Sequence, residues 1–299
     1  MIKFLLLTTL LVACSTTKEK PDEELPETPI VVTPLPEVPG GVARWQPRQG
    51  AKFQILDEDD GNFAKQIDEG TEFVNIELFA ATKMNIFEIH QKGVKVVCYY
   101  NLAYQPGNPD IDGKTYEGWR NPLLFPKAAL GPEMDGYDEK WTDLTNENLH
   151  LFNDQRDILA KELGCDGVEG GDNMDNNSGE AFSKIRTSDL VKSNKRRADH
   201  AHSLGLAHFA KNTPEIAKQA SLVSDAIFIE QALTYEELDD YSAWWTNGKG
   251  AYAIEYPSVD PQNLMFASRC KKLAKNYPKV KVDYHGNGDY FNKNSNFCN

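Results

Sequence analysis

From Lys52 onward, short apolar runs alternate with longer stretches that are apolar on one side only. The runs at 53–56, 73–78, 95–100, 141–144, 167–169, 207–210, 226–230, 251–256 and 280–284 have the length and the β-branched and aromatic content of strands. Most are separated by helix-period segments, at 82–92, 146–163, 188–204, 214–222, 235–245 and 262–275. Gly93, Gly164 and Gly205 stand where three of these helices should end, and Pro214 stands where one should begin. Regular strand–helix alternation predicts a parallel sheet with helices packed outside it. The fold class expected is α/β, specifically a (β/α)8 barrel of the TIM type. Nine strand candidates are one too many for a closed eight-stranded barrel, so one of them belongs elsewhere. An open doubly wound sheet is the alternative, but it normally carries a glycine-rich turn after its first strand. None follows 53–56, and no tandem repeat is visible.

The first forty residues do not share this pattern. Met1–Lys3 carry one positive charge, and residues 4–13 form an apolar run too short to span a bilayer as a helix. This is the layout of a secretory signal peptide. It ends in Leu11-Val12-Ala13-Cys14, which resembles a bacterial lipobox and implies cleavage before Cys14 and lipidation of that residue. Ser15 resembles the residue that follows the cysteine in outer-membrane-sorted lipoproteins. Pro21, Pro26, Pro29, Pro34, Pro36 and Pro39, with Glu and Thr between them, then make an extended spacer with too little apolar surface to fold. The expected organisation is a signal peptide at 1–13, a lipidated Cys14 with a Pro/Glu-rich linker to residue 40, and a barrel at 41–299. The expected location is the cell envelope, on a membrane through the anchor at Cys14.

Charge and cysteine content narrow the chemistry. The net charge is −13, and residues 41–299 alone hold 39 acidic against 29 basic side chains. That balance argues against nucleic acid as a partner, since phosphates need stripes of Lys and Arg. It suits a neutral or cationic ligand and a soluble monomer. Cys98, Cys165, Cys270 and Cys298 are an even number in an exported chain, and Cys98–Cys165 with Cys270–Cys298 is the favoured pairing of three possible. No CxxC or HExxH spacing points to zinc, and His200 and His202 do not share a helix face. There is no GxSxG elbow, and the segment Gly107 to Thr115 has the wrong glycine spacing for a P-loop. What remains is chemistry by carboxylates, with no cofactor implied.

Active sites of (β/α) barrels lie at the C-terminal ends of the strands. Here those ends are rich in acids: Glu77, Asp143, Glu169, Asp172, Glu230, Glu255 and Asp283. Strand ends are poor places for acids by propensity alone, so each is exposed, paired or functional. Tyr99, Tyr100, Trp119, Arg120, Trp141 and Tyr256 flank the same ends. Aromatic faces of this kind stack on sugar rings, although core packing accounts for such residues as often.

The segments Trp45-Gln46-Pro47, Ile76-Glu77-Leu78-Phe79, Val96-Val97-Cys98-Tyr99, Gly118-Trp119-Arg120, Trp141-Thr142-Asp143, Gly167-Val168-Glu169, Asp172-Asn173-Met174-Asp175, Lys211-Asn212, Glu230-Gln231 and Glu255-Tyr256 occur in this order over some two hundred residues. Together with Arg156 and Ala201-His202 they resemble glycoside hydrolase family 114, whose typical activity is endo-α-1,4-polygalactosaminidase. The resemblance implies a barrel that cleaves α-1,4-linked galactosamine-containing polysaccharide. It maps the paired acids onto Asp172 and Glu230. It assigns substrate-binding positions to Glu77, Tyr99, Trp119, Arg120, Asp143, Glu169, Asn173, Lys211, Asn212, Glu255 and Tyr256. Four features depart from the family pattern: Glu77 stands where an Asp is usual, an extra Gly separates Glu169 from Asp172, residues 101–114 look inserted, and Ala232 replaces a common Cys. The extra Gly leaves Glu169 as the fallback for Asp172. Asp172 is assigned as nucleophile or base and Glu230 as proton donor, with the reverse order open. The alternative functions are a non-catalytic carbohydrate-binding lipoprotein on the same barrel and a structural envelope lipoprotein.

Overall fold

The apolar runs assemble in a computed structural model of the chain, which describes residues 43–56, 62–104, 125–136, 139–171, 185–212, 214–256, 264–277, 279–284 and 296–297. The chain divides into two units, Met1–Thr33 and Pro34–Asn299, and every described residue belongs to the second. The signal peptide, Cys14, the linker and Trp119, Arg120, Asp172 and Asn173 lie outside the described residues.

In chain order the elements are β1 (Phe53–Ile55), α1 (Phe63–Gln66), β2 (Phe73–Glu77), α2 (Lys83–Gln91), β3 (Lys95–Asn101), β4 (Leu130–Glu133), β5 (Lys140–Thr142), α3 (Glu147–Leu163), β6 (Gly167–Gly171) and α4 (Thr187–Ser203). They continue with β7 (Ala207–Lys211), α5 (Ala217–Val223), β8 (Ala226–Glu230), α6 (Ser242–Thr246), β9 (Gly250–Glu255), α7 (Leu264–Asn276), β10 (Val280–Tyr284) and β11 (Asn296–Phe297). The strand order is β1-β2-β3-β6-β7-β8-β9-β10, all parallel, with β11 added antiparallel to β10. This is a nearly closed eight-stranded parallel barrel with helices between its strands.

The surplus strand candidate is the one at 141–144. Its Lys140–Thr142 portion is strand, but it pairs antiparallel with β4 as a separate hairpin between β3 and β6. The helix expected at 235–245 is a 3-10 turn, Leu238–Tyr241, followed by the short α6. The helix expected from Pro214 likewise opens with a 3-10 turn, Pro214–Ile216, before α5. The boundary signals act as expected elsewhere. Asn146 caps α3 by accepting from the N–H groups of Asn148 and Leu149, and Gly164 ends it with φ of 105°.

Side chains alternate between two cores, following the period of two along each strand. Phe53, Phe73, Val97, Phe209, Phe228, Tyr252 and Ile254 point into the lumen. Ring centroids there are 4.8–6.2 Å apart, so the lower barrel is filled with aromatic side chains. The intervening residues, such as Val74, Ile76, Val96, Val168, Ile227 and Ile229, pack against the helices. Cys98 on β3 is one of these outward residues and forms a disulfide with Cys165, just ahead of β6. Cys270 is also disulfide-bonded, and its expected partner, Cys298, lies outside the described residues.

The N-terminal end of the barrel is closed by residues 43–50. Trp45 lies 5.4 Å from Phe73 and 5.9 Å from Phe209, ring to ring. Arg44 forks onto the Asp225 carboxylate, and Tyr252 donates to the Arg48 carbonyl at 2.7 Å. Asp225 also accepts from His202 and from the His208 N–H, and these donors hold its carboxyl well below the usual range despite burial. Among the described residues, that end of the lumen is plugged, and the polar inward positions lie toward the C-terminal ends of the strands.

Candidate active site

The polar residues of the mouth are inward-facing positions in the C-terminal halves of their strands. On β2, Phe73, Asn75 and Glu77 share a face; on β3, Val97 and Tyr99; on β6, Gly167, Glu169 and Gly171; on β7, Ala207, Phe209 and Lys211; on β8, Ala226, Phe228 and Glu230. Each strand therefore switches from apolar to polar one step above the aromatic filling. This places Asn75, Tyr99, Glu169, Lys211 and Glu230 in one layer.

Glu230 is held by three neighbours. Its carboxylate accepts from the Tyr256 hydroxyl and from Asn212 Nδ2 at 3.1 Å, and Lys211 Nζ lies 3.3 Å away. The Asn212 side chain also accepts from the Glu230 N–H at 2.9 Å, so the two residues exchange a pair of hydrogen bonds. Asn212 and Gln231, each one residue past its strand, adopt left-handed backbone angles, φ 41° and 54°. Such angles cost energy in a non-glycine residue, least in Asn, and they are typically retained where a site needs the bend. Burial pushes the Glu230 carboxyl up, but Lys211 and the hydrogen bonds from Tyr256 and Asn212 outweigh it. The net direction is downward, and Glu230 is ionised in the substrate-free site.

Lys211 bridges to a second acid. Its Nζ is 3.8 Å from Glu169 Oε1 and lies over the Tyr99 ring, 4.9 Å from the centroid. Glu169 is 2% exposed and accepts from Asn75 Nδ2 on its other side. Asn75 was missed in the sequence, although an Asn inside the apolar run Phe73-Val74-Asn75-Ile76 is a visible signal that a buried partner is present.

The adjacent glycines of β6 make this packing possible. A Cβ on Gly171 would sit 2.6 Å from Tyr99 Cε2 and 3.2 Å from Lys211 Cδ, so the mouth closes around that bare backbone. A Cβ on Gly170, on the opposite face, would sit 2.0 Å from Arg197 Nη2. The glycine that looked surplus in the sequence thus belongs to a pair serving both faces of the strand.

The other expected residues divide. Glu77 ends β2 on the inward face, beside Tyr99 in register, and Tyr256 reaches Glu230 from the end of β9. Glu255 faces the opposite side of β9: its buried carboxylate accepts from the Leu233 N–H at 2.7 Å and the Thr234 hydroxyl at 2.6 Å. It holds the loop after β8. Asp143 accepts from the Thr145 N–H and hydroxyl in a turn that leads into α3. Neither carboxylate stands in the polar layer around Glu230, and each is engaged by a loop. Tyr100 points outward and donates to Asp157, and Trp141 packs with Ala103 and Met134. His200 and His202 are each hydrogen-bonded to a carboxylate, His200 to Asp157 and His202 to Asp225. Among the described residues no cluster of three His, Cys, Asp or Glu could hold a metal, and no helix is long and apolar enough to cross a membrane.

Solved structures share this architecture. Ega3 of Aspergillus fumigatus, solved in complex with galactosamine, is 26% identical, with 82% of this chain and 94% of that one covered at a TM-score of 0.66. The glycoside hydrolase domain of PelA from Pseudomonas aeruginosa, 12% identical over 83% of this chain and 95% of that domain at a TM-score of 0.52, shares the fold. A search of curated proteins gave no significant match. The barrel with its carboxylate-bearing mouth is thus of the type found in glycosidases. The model of glycoside hydrolase family GH114 matches residues 36–291. The chain belongs to that family and is a glycosidase.

Proposed function

We propose that this glycosidase cleaves α-1,4-linked, galactosamine-containing polysaccharide with a pair of carboxylates, Asp172 and Glu230. The observation that carries the reading is the anchored carboxylate of Glu230 at the open end of the barrel, set among Lys211, Asn212 and Tyr256. Asp172 follows directly on Gly171, the last residue of β6. The substrate class is supported by the galactosamine complex of the 26% identical Ega3 and by the net negative charge of residues 41–299, which would attract a polymer bearing free amines.

Glycosidic cleavage needs one carboxyl to protonate the leaving oxygen and one carboxylate on the other face of the sugar. With Asp172 as nucleophile or base, Glu230 must take up a proton before the bond breaks, against the pull of Lys211. The reverse order requires no such uptake. The two orders differ in the pH profile of kcat/KM: a donor Glu230 sets the alkaline limb, and a base Glu230 sets the acid limb. Tyr99 and Tyr256 offer ring faces for sugar stacking, and Glu77 and Asn212 offer hydrogen bonds to hydroxyl or amine groups. The chain acts as a monomer held at the cell envelope by lipid on Cys14, with residues 16–40 as the tether.

The test is to incubate the protein with a panel of amino-sugar polysaccharides and measure new reducing ends. Cleavage of α-1,4-galactosamine polymer by wild type but not by Glu230→Gln supports the reading. Cleavage only of polymers lacking galactosamine overturns the substrate, and an active Glu230→Gln overturns the site.

A further inference from the structure

Lys211 is almost fully buried and lies between two carboxylates on neighbouring strands, Glu169 on β6 at 3.8 Å and Glu230 on β8 at 3.3 Å. A lysine in such a position must be kept charged, since burial alone favours its neutral form. Glu169 is itself buried and fixed on its far side by Asn75. Tyr99 supplies a ring face beneath the ammonium, and Gly171 leaves space for both. The three charged groups form a row, acid–base–acid, of which only Glu230 is appreciably open to solvent at the mouth: side-chain exposures are 3%, 7% and 22% along the row.

We propose that Glu169 and Lys211 are positioning residues that set the ionisation of Glu230, with Glu169 acting as a buried counter-charge that divides the attention of Lys211 between two carboxylates. Glu169 is then neither a substrate ligand nor a substitute for Asp172. The inference rests on the reading of Glu230 as a catalytic carboxylate. Among the described residues, the groups in contact with Glu230 are Lys211 from β7, Asn212 just beyond it and Tyr256 beyond β9. Glu169 from β6 stands behind Lys211, and Glu77 ends the inward face of β2 beside Tyr99. Glu255 is turned to the loop after β8.

The row makes opposite predictions for its two hidden members. Removing the cation in Lys211→Met withdraws the group that favours the Glu230 anion, so the Glu230 limb of the kcat/KM profile should move to higher pH, by about 1–3 units. Removing the buried anion in Glu169→Gln takes away one carboxylate that competes with Glu230 for Lys211, so the same limb should move to lower pH. Lys211→Arg keeps the charge and should leave the limb close to its wild-type position. A residue that merely supports packing would lower activity at every pH and shift nothing.

The experiment is a kcat/KM pH profile on α-1,4-linked galactosamine polymer for wild type and the three variants, with Glu230→Gln run alongside. The Glu230 carboxyl carbon is titrated in parallel by 13C NMR, its signal assigned by its loss in Glu230→Gln. The NMR titration reads the same shift without any activity, and it serves a folded but slow variant equally well. Opposite shifts for Lys211→Met and Glu169→Gln support the inference. Shifts in one direction for both, or none in either, overturn it. An active Glu230→Gln instead overturns the catalytic reading on which it rests, and the NMR titration keeps the two failures apart. If Lys211→Met does not fold, the isosteric Glu169→Gln decides alone: an unmoved limb and an unmoved carboxyl titration reject the proposal.

Discussion

Gly171→Ala should damage catalysis far more than it damages folding. No left-handed backbone angle is recorded for Gly171, so alanine meets no conformational penalty there, and its effect is steric. The new methyl would lie 2.6 Å from Tyr99 Cε2 and 3.2 Å from Lys211 Cδ. Carbon atoms pack at about 3.5–4.0 Å, so the Tyr99 ring must retreat by roughly 1 Å and the lysine stem by a few tenths. Both movements occur in the polar layer that positions Glu230. A displacement of about 1 Å near reacting groups can cost on the order of 10²-fold in rate, which corresponds to about 2.7 kcal/mol of barrier. Overpacking should cost about 1–3 kcal/mol of stability. Gly170→Ala is the matched control, because its methyl would meet Arg197 on the helix side of the same strand. It should cost a similar amount of stability, again about 1–3 kcal/mol, while kcat/KM per folded molecule stays within a few-fold of wild type, on the order of 1 kcal/mol or less. The assay is reducing-end release on galactosamine polymer, normalised to the folded fraction from urea titration. Wild-type kcat/KM in Gly171→Ala, or equal losses in the two variants, would refute the claim that β6 presents one glycine to the site and one to the core.

Further outcomes follow from the same contacts. Asp172→Asn and Glu230→Gln should each abolish nearly all turnover, with the double variant hardly worse, as expected when two groups act as a unit; additive losses would separate them. Asp225→Asn should destabilise the protein by about 3 kcal/mol, since it strands Arg44 and His202 at the barrel floor. Because the folded Asp225 carboxyl lies below its ordinary value, that stabilisation is complete above about pH 4 and is lost only as pH falls through the lower folded value. The difference between wild type and Asp225→Asn in urea unfolding should therefore shrink in strong acid. Replacing Cys98 and Cys165 by Ala opens a 67-residue loop and should cost about 4 kcal/mol by chain entropy, read as a drop in the urea midpoint. Cys14→Ala should leave the protein unprocessed or released from membranes in fractionation; unchanged membrane association would remove the lipoprotein reading.

How far the sequence reaches can be judged residue by residue. The barrel was legible because eight of its strands are apolar runs separated by helix-period segments, and a pattern of that regularity has few other solutions. The misplaced run at 141–144 shows the limit. Its partner β4 reads Leu130-Gly131-Pro132-Glu133, a sequence with little strand character, so the hairpin could not be foreseen and the run was counted with the barrel. Glu230 and Glu169 were legible as acids closing apolar strands, and Lys211 through the Lys211-Asn212 segment of the family resemblance. Glu255 was not separable from them, because β9 is buried on both faces and its composition does not reveal which residues point inward. Only the register with β8, in which Glu230 lies opposite Ile254, sends Glu255 to the loop side. Asp143 was selected as a strand-end acid and proves to be a turn-forming one, a role that Asp fills equally well. The Asn75–Glu169–Lys211 row could not be read at all from spacing, since its members lie 94 and 42 residues apart and meet only when three non-adjacent segments enter one barrel.

The most direct measurement is reducing-end release from α-1,4-linked galactosamine polymer by the purified protein, compared with the Glu230→Gln variant at equal folded concentration. The account predicts cleavage at internal bonds by wild type, with product lengths shortening progressively, and near-total loss in the variant with its urea unfolding midpoint preserved. Wild-type cleavage by Glu230→Gln would contradict it, as would a folded wild type that releases no reducing ends from the galactosamine polymer while cutting another amino-sugar polysaccharide.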